Sequence, residues 1–268
     1  MTGTYRAGNK ARNYTYLYDR DWFSSMWVAY PLYASTYSGS NPHSGSWAPA
    51  TGNGFGTGNS NGYQINVWSA SYNVLYGQTN YVENASSTGQ EYYGRGHQIP
   101  DADRQYNQDM VQQTYYGINC TPQIQNKFNG SIWSRLEEAV RTEAGKMDTL
   151  YVATGPLFYR QDISDTVEPT WITPKGDPNR SCPVPKYYWK VLLKVKRDSA
   201  GNVTEACSIG FWFDHQQYPN SAYANYAVSV NDIESRTGLD LFANLPDSIE
   251  ETVEANNNWQ TFQNYTGQ

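Results

Sequence analysis

Charge is what this sequence has least of. Only 16% of its 268 residues are charged, and the balance is acidic, −6 at pH 7. That argues against a protein that grips nucleic acid through a broad basic surface, where phosphate neutralisation supplies the affinity. A local positive cleft with a bound cation is the form such binding can still take. Cysteine is scarce and odd in number: Cys120, Cys182 and Cys207 allow at most one internal disulfide. A Cys182–Cys207 bridge and three thiols packed as small apolar groups fit that count equally well. With no CxxC pair and only three histidines, a Cys/His zinc site is not expected. No apolar run approaches the roughly 18 residues of a membrane span. Met1–Thr4 lacks the apolar core of an export signal. If the protein is exported, its signal peptide is not part of this sequence and Met1 is not the natural start.

Aromatics are what the sequence has in plenty: 15% of residues, with 24 Tyr and 9 Trp. With abundant Gly, Asn, Ser and Thr, they point to a strand- and loop-rich domain. Tyr14–Tyr18 alternates and Met26–Leu32 is an apolar run stopped near Pro31, so the two form a hairpin around Asp19–Phe23. Residues 37–65 read as a long surface loop punctuated by Trp47, Phe55, Tyr63 and Ile65. Leu150–Leu157, Tyr187–Val195 and Ala206–Phe213 read as strands, the last two joined by a turn at Asp198–Asn202. Ile132–Met147 has apolar residues near the 3.6 period and reads as a helix capped at Gly130 and Ser131. Ser229–Gly238 carries a shorter one. The sum is an α+β fold, a central, mostly antiparallel multi-stranded sheet with helices on its faces. It makes one domain over 1–268, with 1–11 a flexible N-terminal segment.

Two segments carry chemistry. In the first, Gly94-Arg95-Gly96-His97, glycines let the backbone turn and approach a ligand. His97 can take a proton at neutral pH, and Arg95 and Arg104 flank it as phosphate clamps. A lone histidine near arginines is more often structural than catalytic. In the second segment, Asn119 and Thr121-Pro122-Gln123 precede Asn129, Trp133, Leu136-Glu137 and Arg141. Glu137 and Arg141, four apart, share a helix face and could be a surface ion pair. Asn129 and Glu137 lie eight residues apart, roughly 12 Å along a helix. They share one small site only if Glu137 leans back toward Asn129 through a water. Mg²⁺ suits an amide oxygen and a water-bridged carboxylate. Tyr92, Tyr93, Tyr115 and Tyr116 flank these segments and could stack on bases, although most tyrosines serve strands and core.

Together these segments resemble the DNA/RNA non-specific endonucleases, the ββα-metal or His-Me nucleases, over roughly residues 12–260. Their Asp-Arg-Gly-His hallmark is similar to residues 94–97. Met26–Leu32, Thr154–Phe158, Val184-Pro185 with Lys190, and Thr237–Asp240 are similar to further family segments. The resemblance implies a ββα-metal site in a metal-dependent endonuclease that cuts DNA and RNA to 5′-phosphate products. It implies His97 as general base, Asn129 as metal ligand and Glu137 as a ligand through water. Arg95 and Arg141 would be phosphate-side cations and Asn119 a supporting residue; Arg104 is a further substrate-binding candidate. The implied cofactor is Mg²⁺, with Mn²⁺ as a substitute, and the location is secreted, periplasmic or cell-surface. Two departures stand out. Gly94 replaces the usual Asp, and no Arg precedes Trp47, where His43 is the only candidate substitute. A catalytically silent nucleic-acid binder of the same fold and a glycan-binding module are the competing readings.

Overall fold

The computed structural model describes residues 2–5, 9–39, 43–50, 72–173 and 181–267. Phe55, Tyr63, Ile65, Val67 and Trp68 lie outside the described residues, and with them most of the expected loop. Near the N-terminus β1 (Thr2–Tyr5) and β2 (Asn9–Arg12) pair antiparallel.

The main sheet has six strands. β3 (Thr15–Asp19) and β4 (Ser24–Leu32) form the expected hairpin. β8 (Leu150–Leu157) pairs with both β4 and β11 (Tyr187–Arg197). β12 (Val203–Asp214) follows, and β13 (Ala227–Val228) closes the order β13-β12-β11-β8-β4-β3, antiparallel throughout. The strand positions follow from side-chain pattern. β4 buries alternate residues Val28, Tyr30 and Leu32, whereas β11 is buried continuously from Tyr188 to Leu193, as a central strand covered on both faces must be. The β11–β12 turn forms as anticipated. Asp198 Oδ1 accepts the amides of Ala200 and Asn202 at 2.9 Å each, and Gly201 takes the left-handed φ of +90°.

A second sheet of three strands, β5 (Val74–Leu75), β6 (Tyr92–His97) and β7 (Cys120–Ile124), carries the chemistry-bearing segments. β6 and β7 are antiparallel with Gly94 opposite Gln123 and His97 opposite Cys120. Between them α2 (Gln108–Thr114) is capped by Asn107, whose side chain accepts from Asp109 N and Met110 N.

The helix after β7 begins earlier than its expected cap. The chain is already helical at Gln125, π-wound through Trp133, and continues as α3 (Ser134–Ala144). Gly130 and Ser131 therefore lie inside the helix, and Met147 falls beyond its end. The physical reason is the apolar stripe: Phe128, Ile132, Leu136, Val140 and Ala144 recur every four residues and are all buried, so the register starts one turn before Ile132. Phe128 anchors that turn, stacked on Trp133 at 5.7 Å and packed on Tyr188 at 5.3 Å and His215 at 5.0 Å. Wide i→i+5 winding of this kind recurs at functional sites.

The expected helix at Ser229–Gly238 is α4 (Val230–Thr237), with a Ser229/Asp232 capping box and Gly238 left-handed at φ +71°. Two short strands, β9 (Trp171–Ile172) and β10 (Cys182–Pro183), pair with each other. Two further helices, α5 (Asp247–Glu254) and α6 (Trp259–Asn264), pack on β12. All three cysteines are free and buried, so the Cys182–Cys207 bridge is not made. Cys182 instead feels Cys120, and burial pushes the Cys120 thiol up to about 12. The small-apolar reading of the three thiols is the one the structure shows.

Candidate active site

A cleft of about 460 Å³ opens on the second sheet. Arg95, His97, Gln125 and Asn129 line it, with Trp47, Tyr92, Tyr93 and Tyr115 among the aromatic walls. His97 ends β6 wedged between two rings, Trp47 at 4.7 Å and the edge of Tyr115 at 4.9 Å. Its Nε2 is out of solvent and has no hydrogen-bond partner. Burial lowers its pKa to about 4; Asp101 opposes this, and Arg95 and His43 reinforce it. The ring is therefore neutral at pH 7, with a lone pair able to accept a proton.

Asp101 stands in the turn after His97. Its Oδ2 accepts from Tyr115 OH at 2.7 Å and lies 2.8 Å from His43 Nδ1. The three histidines thus differ in kind. His43 is exposed beside Asp101, and His97 faces the cleft. His215 is structural: its Nδ1 donates to Pro185 O at 2.8 Å and its Nε2 accepts Ile124 N–H at 2.9 Å, tying down the end of β7.

Asn119 is fully buried and occupied. Its Nδ2 donates to Ile99 O and Thr114 O, and its Oδ1 accepts from Ile99 N at 3.0 Å. It braces the segment after His97 and does not face the cleft. Arg104 needs a correction. Its side chain is buried and donates to Asn13 Oδ1 at 2.6 Å and to the carbonyls of Asn13, Pro31 and Asp103. A guanidinium so engaged, with four of its five N–H groups donating and no exposed surface, holds the N-terminal segment to the body of the protein and is closed to substrate. Arg95 is the arginine that stays with the cleft, lying 5.1 Å over the Trp47 ring.

Asn129 sits in the π-wound turn and donates from Nδ2 to Gln125 Oε1 at 3.5 Å. Glu137 and Arg141 form a cluster behind the cleft. Arg141 pairs with Asp103 at 3.0 Å, and Tyr30 OH donates to the other Asp103 oxygen at 2.9 Å. Among the described residues Glu137 has no hydrogen-bond partner. Burial pushes its pKa up to about 7, Lys190 opposes this and Asp103 adds to it. Lys190, on β11 beneath α3, is 1% exposed with an unpartnered Nζ 4.8 Å from the Trp133 ring centre. Burial lowers its pKa to about 8 against the pull of Glu137. Gln125, Asp101 and Lys190 were not singled out as site residues. The signal for Asp101 was its place four residues after His97; Lys190, a charge in an otherwise apolar strand, was visible too.

A larger groove of about 570 Å³ lies elsewhere, between residues 145–149 and the end of β11. Its cations are engaged: Lys146 by Glu143, Lys196 by Glu205 and Arg197 by the Gly201 carbonyl.

Two antiparallel strands followed by a helix, with His97 on the first strand and Asn129 in the helix's opening turn, define a nuclease-like frame. The family model of DNA/RNA non-specific endonucleases matches residues 3–248, and the chain belongs to that family. Among its relatives, a nuclease of Serratia marcescens is 30% identical over 163 residues, covering 60% of this chain and 55% of that protein. Nuclease 1, mitochondrial, of Schizosaccharomyces pombe is 29% identical over 161 residues, 58% of this chain and 47% of that one. Endonuclease G, mitochondrial, of Caenorhabditis elegans is 29% identical over 164 residues, 59% and 49%. The chain spans about half the length of the curated relatives it matches. A crystal structure of an EndoG/EndoGI complex shares the fold, with a TM-score of 0.62 over 88% of this chain and 85% of that one, at 20% identity. Membership of this family sets aside the glycan-binding reading. Among the described residues no helix is long and apolar enough to cross a membrane.

Proposed function

We propose that this protein is an endonuclease that hydrolyses phosphodiester bonds of both DNA and RNA, with His97 as general base. The observation that carries this is His97 Nε2, without a hydrogen-bond partner among the described residues, in a cleft shared with Arg95 and Asn129. His97 takes a proton from a water, and that water attacks phosphorus in line. Trp47 and Tyr115 fix the ring, Asp101 holds the Tyr115 hydroxyl, and Asn119 fixes the backbone that follows His97. Arg95 binds the phosphate from the cleft wall, and Arg141 supports it from the cluster behind.

The donor set, one amide oxygen and one carboxylate without a hydrogen-bond partner among the described residues, fits a hard divalent cation that keeps most of its waters. Asn129 would hold it directly and Glu137 through a water. Mg²⁺, or Mn²⁺ in its place, would neutralise charge on the phosphate and the leaving oxygen. The attacking group comes from water, so no 2′-hydroxyl is needed, DNA and RNA are both substrates, and the products carry 5′-phosphates. A silent binder would not need an unpartnered histidine in the cleft. The low-charge, loop-rich composition supports a secreted, periplasmic or cell-surface location, although relatives named mitochondrial show that the family is not confined there.

Plasmid DNA and RNA are incubated with Mg²⁺, Mn²⁺ or EDTA, and the product ends are analysed. Cleavage of both polymers, dependent on the cation and leaving 5′-phosphates, is expected. Cation-independent cleavage, or cleavage of RNA alone through 2′,3′-cyclic ends, would refute the reading.

A further inference from the structure

Gly94 stands where the hallmark usually has an acidic residue, and the structure shows what fills the space. A Cβ on Gly94 would lie 1.8 Å from Gln125 Oε1 and 2.9 Å from Gln125 Cδ. The bare backbone at position 94 is thus the condition for the place that the Gln125 amide takes. That amide lines the cleft, and its Oε1 accepts the Nδ2 hydrogen of Asn129, one turn on, at 3.5 Å. An asparagine amide offers a cation one atom only, Oδ1; the other end is a donor. Whatever engages Nδ2 therefore decides which way Oδ1 faces.

We propose that Gln125, seated against Gly94, is a positioning residue that orients Asn129 so that its Oδ1 faces a divalent cation in the cleft. The inference rests on the reading of Asn129 as the cation's direct ligand. It gives the Gly94 departure a purpose: the space above the backbone at 94 belongs to a glutamine from the π-wound turn. Partners that orient a metal ligand typically change metal affinity or activity 10–100-fold when removed.

The test is Mn²⁺ binding by calorimetry to the whole chain without nucleic acid, alongside the Mg²⁺ concentration for half-maximal DNA cleavage and the melting temperature. Gln125→Met fills the space but accepts no hydrogen bond. It should weaken Mn²⁺ binding about tenfold with the melting temperature nearly unchanged. Gln125→Glu still accepts from Asn129 and should keep wild-type affinity or better. Gly94→Ala meets only the flexible end of Gln125, so it should fold and show the same loss as Gln125→Met. In a Gln125→Ala background it should add less than twofold. Wild-type affinity in both Gln125→Met and Gly94→Ala would reduce Gln125 to packing and overturn the proposal. An equal loss in Gln125→Glu would overturn it too. If the wild type binds no Mn²⁺, the Asn129 reading falls first and this inference with it; wild-type binding that the variants leave unchanged sinks this inference alone.

Discussion

Lys190 and Lys194 stand four residues apart on β11, both essentially buried, and the structure treats them oppositely. Lys194 is saturated. Its Nζ donates to Glu143 at 2.8 Å and to the carbonyls of Phe262 and Tyr265 at 2.9 Å each, tying the C-terminal helix to α3. Among the described residues Lys190 donates to nothing, and its ammonium feels the charges of Glu137 and Asp103. A buried ammonium left without a hydrogen bond is destabilising, and such groups persist where function requires them. One end of the strand is built for stability, the other for the site.

The largest expected effect is at the cleft. His97→Ala should lower cleavage by about 10²–10⁴-fold, the usual worth of a general base, with little change in melting temperature. A drop of less than tenfold in initial rates would move the base elsewhere. Next comes the lysine pair itself. Lys194→Met leaves Glu143 with only the more exposed Lys146 and strips two buried carbonyls of their donor, and should destabilise by about 2–3 kcal/mol, read by urea unfolding. Lys190→Met removes an unsatisfied charge and should leave stability within about 1 kcal/mol of wild type while cleavage falls. Equal losses of stability from the two substitutions would break the contrast.

A smaller effect sharpens it. The Glu137 pKa is raised, to about 7, so the folded protein binds its proton more tightly than the unfolded chain does. Its contribution to stability is therefore present at acid pH and lost as pH rises through about 7. In EDTA, Glu137→Gln should gain stability over the parent at pH 8 and little at pH 4.5. Thermal melts at both values check this, and an equal gain at the two would contradict it. The smallest effect concerns Arg95. With Arg104 and Arg141 both engaged, it is the arginine left on the cleft wall. Arg95→Ala should reduce the salt slope of DNA binding by about one phosphate contact. An unchanged slope, measured by fluorescence anisotropy, would remove Arg95 from the phosphate.

The comparison also shows what could be read from the residues alone. β4 was legible because its burial alternates, β8, β11 and β12 because they are local apolar runs, and the Asp198–Asn202 turn because its chemistry is written in five consecutive residues. Motif spacing singled out His97 and Asn129, which the structure brings to one cleft. The two arginines flanking His97 were not distinguishable: Arg104 is consumed by Asn13, 91 residues away, and no local pattern records that contact. The early start of the helix was hidden because Gly130 and Ser131 look like a cap, although Phe128 already belonged to the buried stripe. The free cysteines could not be resolved from a count. Gln125 was invisible because its role depends on a glycine across the β6–β7 pair.

The most direct test of the central claim is a side-by-side time course of wild type and His97→Ala on plasmid DNA and on RNA with Mg²⁺. One base serving one water predicts that cleavage of both polymers collapses together, by similar factors. Loss on DNA with RNA cleavage retained would contradict the account, because the 2′-hydroxyl would then be the nucleophile and a group other than His97 its base.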